Sequence, residues 1–493
     1  MESNYVLNGN SKEIIKDALL RETCVIPVEN GQRVLGVSAR SKITSCETLD
    51  GELRVSVKTV FRAIKCDDEG NYFSDAVDCE SIHTLSREGI TPSTKVCLDA
   101  TVTECEKIYD NPYKVSATVE ISGWFIKTEE ITFLNPSYEG LFCKTEKSVV
   151  ENVVPLCDNT LSLTFTDEAR MPIAKILDYS GSVTIDGVYS STGTYRVEGD
   201  LILRIVAVTD NGQFITQNFS HPFSSESAEE NVTSEMRIEA EGKIKTLSFT
   251  VTESDKRIVV CDATVKICGV VLEEKEAEKT IDAYSIKNEI EIKREKKTVN
   301  SHFCMRSVRE KATATLTASD GVSEILAVMT PCVSTNGSVG ENGINAEGVI
   351  SVAVIYLDEN GKARSITGEI PFLSNLGGDY PCETVFAPEV AVTALGARPR
   401  GSNDVEITAE LLVTVRGAKT KEITVISDVE IGAEKEEDDF AVSLYIVKEG
   451  ETLWEVAKEL NCDEKTLIEQ NPDLPNPLAA GEKILLYKYL PEE

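Results

Sequence analysis

The chain repeats itself, and that constrains its fold more than any single motif. Three glycine-led runs, Gly51–Val57, Gly199–Ile205 and Gly348–Val354, alternate apolar and polar residues in the β manner. Their leading glycines stand 148 and 149 residues apart. In copies two and three a turn follows thirteen residues later, at Asp210-Asn211-Gly212 and Glu359-Asn360-Gly361. Asn-Gly between alternating runs signals a hairpin, because both central positions of its turn need positive φ. Ten residues further on come Pro222-Phe223 and Pro371-Phe372. Copy one is looser. Measured from Gly51, its turn Asp68-Glu69-Gly70 falls six residues late, and it has no Pro-Phe pair.

The second half of each unit also recurs. Alternating runs at 114–121, 258–267 and 405–415 lead to Gly123, Gly269 and Gly417, which lie 72, 70 and 69 residues beyond the glycine opening their unit. In the third run Ile407, Leu411, Val413 and Val415 share one face and polar residues take most of the other. One wet face and one apolar face is the pattern of an antiparallel sheet. The reading is mainly β: three repeated antiparallel, sandwich-like domains. The expected division is an N-terminal segment over 1–29, repeats over 30–140, 141–289 and 290–431, an acidic linker over 432–442, and a small α+β domain over 443–490.

Composition narrows the function. Fifty basic residues against 83 acidic ones give a net charge of −33, which repels nucleic acid and anionic lipid. Only His83, His221 and His302 occur, too few for histidine-built metal sites or most histidine acid–base chemistry. Fourteen cysteines are scattered without a CxxC pair, mostly in β-patterned stretches, and read as reduced core thiols of a cytoplasmic protein. The segment Met1–Leu20 has no secretory apolar region, and no run reaches the ~18 apolar residues of a membrane span. HExxH, GxSxG and Walker-type motifs are absent. No catalytic residue, metal or cofactor is therefore expected. The acidic runs Ser224–Glu230 and Glu434–Asp439 read as a solvated loop and a flexible, self-repelling linker.

From Ser443 the texture changes. Residues 444–447 read as a strand, and Thr452 with Glu455 form a capping box opening a helix. Leu453, Val456, Ala457 and Leu460 make its apolar stripe. Asp463 caps a second helix containing Leu467 and Ile468, Pro472 stops it, and 481–486 closes a β-α-α-β module. Trp454 lies about 100° around the helix from Leu453, beside Lys458, at the edge of the stripe. There it reads either as a partly exposed anchor for sugar or protein, or as a cover over the linker.

This module resembles the LysM domain at Tyr445-Ile446-Val447, Gly450–Trp454, Ala457, Leu467, Asn471-Pro472 and Gly481–Ile484. The resemblance implies binding of N-acetylglucosamine glycans in a groove lined by Gly450, Glu451, Thr452, Leu453, Asn471 and Pro472. Several of these residues also serve the fold: Thr452 as a cap, Leu453 as core, Pro472 as a helix stop.

Three β-rich repeats before one LysM module resemble the clostridial spore-coat proteins in which three SPOCS (DUF3794) domains precede LysM, over residues of about 30 to 488. That resemblance implies a non-enzymatic morphogenetic scaffold in the mother-cell cytoplasm at the forespore surface. It would bind the basement-layer coat ATPase, stage IV sporulation protein A, through LysM, along with other coat proteins. A peptidoglycan-binding protein of cortex or wall is the alternative. In a reducing cytoplasm there is no polymeric wall to bind, which favours a protein partner.

Overall fold

In the computed structural model the described residues are 5–133, 139–340, 343–378, 385–436 and 442–487. The alternating runs form long strands. Unit one contains β1 (Tyr5–Val25), β2 (Arg33–Leu49), β3 (Glu52–Cys66), β4 (Tyr72–Ser86), β5 (Val96–Asp110) and β6 (Tyr113–Phe133). Unit two contains β7 (Leu141–Pro155), β8 (Asn159–Glu168), β9 (Lys175–Ser191), β10 (Thr194–Val208), β11 (Phe214–Ala228), β12 (Arg237–Val251) and β13 (Ile258–Ser285). Unit three contains β14 (Asn288–Thr317), β15 (Val322–Gly340), β16 (Gly343–Asp358), β17 (Ala363–Asn375), β18 (Val385–Arg400) and β19 (Asp404–Glu434).

One plan is used three times. A three-stranded antiparallel meander, β2-β3-β4, β9-β10-β11 or β15-β16-β17, faces a second set of three strands, β1-β6-β5, β8-β13-β12 or β14-β19-β18, and the last two sets join through β7 into one seven-stranded sheet. Each pair of sheets encloses its own apolar core, with Phe61 and Val119 in the first, Leu203 and Val265 in the second, and Val354 and Val413 in the third. The first and last strands of each unit run on beyond the sandwich as a two-stranded arm. Residues 5–15 pair with 123–133, 141–155 with 270–285, and 288–300 with 420–434.

Most of the expected N-terminal segment, 1–29, belongs to the first repeat. Its strand β1 pairs with β6 along most of its length and buries Ile15 in the first core, so unit one begins near Tyr5. The run Ser224–Ala228 is likewise strand, the end of β11, because Phe223 and Ser225 alternate inward between exposed neighbours. The linker expected at 432–442 begins as the end of β19, and Lys435 is hydrogen bonded to the unit-two arm. Residues 437–441 and 488–490 of the expected linker and last domain lie outside the described residues.

The hairpin turns set the true register of the repeat. Asp67, Thr209 and Asp358 each donate their N–H to the residue four further on and accept from Gly70, Gly212 and Gly361 respectively. Copy one is therefore offset by 142 residues from copy two, and its turn is not late. Gly51 is the equivalent of Gly193: both have φ between 70° and 80°, and they donate to Ile90 and Val232 carbonyls in matching turns. The position matching Gly199 and Gly348 is Val57. A Cβ on Gly199 would collide with the Thr184 carbonyl, and one on Gly348 with that of Ser334. The rings of Phe223 and Phe372, directly opposite across the ladder, fill the space above these glycines. In unit one Val57 stands opposite Ser81. Large-over-small has become small-over-large, which conserves volume and explains the missing Pro-Phe pair.

Gly123 and Gly269 mark the point where each arm leaves its sandwich. A Cβ on Gly269 would lie 2.7 Å from the Glu239 carbonyl, and one on Gly123 would strike that of Cys97. Close backbone approach thus selects glycine there.

The units meet in a fourth apolar cluster built from equivalent positions. Leu35, Leu177 and Leu326 join Ile64, Val206 and Ile355, with Tyr72, Phe214 and Ala363 beside them. Tyr72 and Phe214 contact edge to face, with centroids 4.6 Å apart. Three copies in one chain are therefore packed about a pseudo-threefold centre.

Candidate functional site

The C-terminal module comprises β20 (Val442–Ile446), α1 (Leu453–Glu459), α2 (Glu464–Gln470) and β21 (Lys483–Tyr487), with the two strands antiparallel. Val456, Ala457, Leu467, Ile484 and Leu486 form its core. Ile468, expected beside Leu467, is half exposed on the outer side of α2. Thr452 caps α1, and the Glu455 carboxylate accepts from its backbone N–H at 2.6 Å and its hydroxyl at 2.7 Å. Asp463 caps α2 by accepting from the N–H and hydroxyl of Thr466 at 2.7 and 2.8 Å.

Most of the expected groove residues have structural work as well. Glu451 accepts from the Tyr445 hydroxyl at 2.8 Å and from the Lys448 N–H at 2.7 Å, and the latter bond leads in holding its carboxyl below the usual range. The Asn471 amide donates to Leu467 and Leu485 carbonyls and accepts from the Leu485 N–H, tying α2 to β21. Leu453 is half-buried against the core. Gly450, Thr452 and Pro472 are exposed, so the mouth between the β20–α1 and α2–β21 connections is lined by backbone and small side chains.

Trp454 is not the partly exposed anchor that is one of the two readings of its helical position. Only 7% of it is exposed. Its Nε1–H donates to Asp282 at 2.9 Å, and its ring meets Tyr284 edge-on with centroids 4.8 Å apart. Lys458 closes the same contact, with its Nζ 2.8 and 2.9 Å from the two Asp282 oxygens. The surface covering Trp454 is thus the far end of β13, the unit-two arm, rather than a linker. Burial pushes the Asp282 carboxyl upward, but the bonds from Lys458 and Trp454 outweigh it and leave the group below its ordinary value.

The dock extends around the end of α1. The Tyr284 hydroxyl donates to the Cys462 carbonyl at 2.8 Å, while its ring stacks on Phe142 from β7. Asn461, in the left-handed region at φ 53°, donates to the Ile286 carbonyl and accepts from Lys435 Nζ. Sequence reasoning missed Asp282, Tyr284, Lys435 and Asn461. Asp282 and Tyr284 lie at the Asp-Ala-Tyr-Ser end of β13, Lys435 follows β19 and Asn461 follows α1, and no motif announces any of the four.

The outer face of the β20–β21 sheet is apolar and open. Val442, Leu444 and Ile446 are 53%, 56% and 56% exposed.

With this geometry in hand, the module can be assigned. Residues 445–486 match the LysM domain. The chain thus carries one LysM domain, a module associated with peptidoglycan-type glycan binding, behind three antiparallel β units. No curated protein and no solved structure matches the chain.

Proposed function

We propose that this chain is a non-enzymatic morphogenetic scaffold of the spore coat. It acts in the mother-cell cytoplasm at the forespore surface, and its LysM domain binds the basement-layer coat ATPase, stage IV sporulation protein A. Other coat proteins attach to the β units. The observation carrying this reading is the apolar stripe Val442-Leu444-Ile446, held outward by a module docked on the unit-two arm. An exposed apolar stripe beside open strand edges suits a protein partner better than a sugar chain. The repeat architecture resembling coat proteins supplies the biological setting.

A second reading has its own support. The exposed Gly450, Thr452 and Pro472 leave the LysM groove open to an N-acetylglucosamine glycan even with the module docked. Pull-downs of the full chain on purified peptidoglycan and on the coat ATPase separate the two. Under the scaffold reading, Leu444→Glu/Ile446→Glu abolishes ATPase capture while Thr452→Arg leaves it intact. Capture by peptidoglycan alone, lost in Thr452→Arg, would replace the scaffold reading with the glycan one.

A further inference from the structure

Where the three units converge, they enclose a cavity of about 510 Å³ that opens to solvent. Its volume lies in the range of small-molecule sites, roughly 300–1,000 Å³. Its lining reverses the charge of the molecule. Eight lysines and arginines face it against four acidic residues, in a chain whose net charge is −33.

Most of these cations are neutralised. Lys243 and Arg416 share Glu241 and Glu389, Arg40 pairs with Asp178 at 2.9 Å, and Lys12 pairs with Glu239 at 3.3 Å. Two are not. Lys42, from β2 of unit one, donates only to the backbone carbonyl of Lys245 at 3.2 Å. Lys245, on β12 of unit two, has no carboxylate within ion-pair distance among the described residues, and both side chains are half-buried. Lys16 meets the neutral Asn336 amide at 3.1 Å and faces the Glu120 carboxylate of the same lining, which opposes the lowering of its proton affinity by burial. Drawing a cation partly out of water costs free energy unless an anion joins it.

We propose that this cavity binds a small polyanion, a phosphorylated or polycarboxylate molecule, held between Lys42 and Lys245. Because the two lysines belong to different units, the ligand bridges the first and second repeats and tightens their junction. This site is separate from the LysM domain and does not depend on its partner.

Calorimetric titration of the full chain at fixed ionic strength tests it, with pyrophosphate and citrate as probes and chloride as the balancing salt. The expected result is saturable one-to-one binding of at least one probe. Affinity should fall at least tenfold in Lys42→Ala/Lys245→Ala and be largely kept in Lys42→Arg/Lys245→Arg. Pyrophosphate alone would mark a phosphoryl ligand, and citrate alone a polycarboxylate. Thermal melts without ligand provide the folding control, because removing two unpaired cations should leave the melting temperature unchanged or higher. No saturable binding of either probe, or equal affinity in the alanine variant, overturns the proposal. Should the alanine pair melt early, Lys245→Met alone carries the same expectation of weakened binding.

Discussion

The indole of Trp454 donates to Asp282 at 2.9 Å across 172 residues of sequence. That bond makes the LysM domain part of the body of the molecule rather than a bead on a tether. Trp454→Ala removes the edge contact with Tyr284 as well as the hydrogen bond, so about 3–5 kcal/mol of stability should be lost from the dock and the LysM core together. Trp454→Phe keeps most of the ring and should cost about 1 kcal/mol for the lost bond. Asp282→Ala should release the module while leaving its fold intact. Limited proteolysis near residues 435–442 is the readout: accelerated cleavage is expected in Trp454→Ala and Asp282→Ala. Wild-type rates in both would mean that the dock does not hold in solution.

The paired substitutions at the repeat corner predict a rescue. Ser81→Phe in unit one should overpack against Val57 by about 1–3 kcal/mol, since the phenylalanines of the other units face glycine. Adding Val57→Gly should recover part of that loss, with a coupling of about 0.5–3 kcal/mol. Recovery stays incomplete because the Ser81 hydroxyl bonds to Glu22 in wild type. Chemical denaturation of the two single variants and the double variant completes the cycle. Simple additivity would refute the volume exchange.

The strands and turns were legible because each is written locally. Alternation sets the buried face, and a positive-φ glycine sets the turn. The unit register was misread for a physical reason: glycine serves two purposes here. Gly51 bends a turn, whereas Gly199 admits a neighbouring carbonyl, and a sequence shows only that both lack a side chain. Strand β1 was missed because its partner lies about 100 residues away in β6, so its pairing leaves no local trace. The capping of both LysM helices was readable for the opposite reason, each cap lying within three residues of its partner. The docked face of Trp454 was not. A stripe-edge tryptophan looks the same whether its cover is solvent, ligand or another part of the chain.

The unit junction should fail in acid before the sandwiches do. Glu241 is fully buried, and burial alone would raise its carboxyl. Arg416, Lys243 and Lys12 outweigh that and bring it down to about 2 from an ordinary 4.5. A carboxyl with a depressed folded value gives stability that is full above about pH 4.5 and is lost as pH falls toward 2. Through that window its protonation leaves Arg416 and Lys243 facing one another with less compensation. Glu241→Gln should therefore be less stable than wild type at pH 7 and should converge on it near pH 2. Thermal melts across pH 2–7 measure this. A constant gap between the two proteins would show that Glu241 does not carry the junction's acid sensitivity.

The thiols give a check on compartment and packing together. The twelve cysteines whose side chains are described are unbridged. Cys46 and Cys157 are exposed, whereas Cys66, Cys97, Cys261, Cys268 and Cys332 are buried. Burial pushes Cys79, Cys105 and Cys261 up to about 12, which leaves almost no thiolate at pH 8 to attack a reagent. Cys97 and Cys268 stand apart, because they lie in one buried cluster where units one and two meet, and their interaction raises the Cys97 thiol and lowers that of Cys268. A disulfide reagent added to the folded protein should thus modify Cys157 and Cys46 first, with the buried thiols reacting only as fast as the sandwiches open. Denatured without reductant, the same protein should yield all fourteen cysteines as free thiols. A count two short, with a crosslinked peptide joining the segments around residues 97 and 268, would show that the chain had met an oxidising environment. It would also contradict the cytoplasmic setting proposed above.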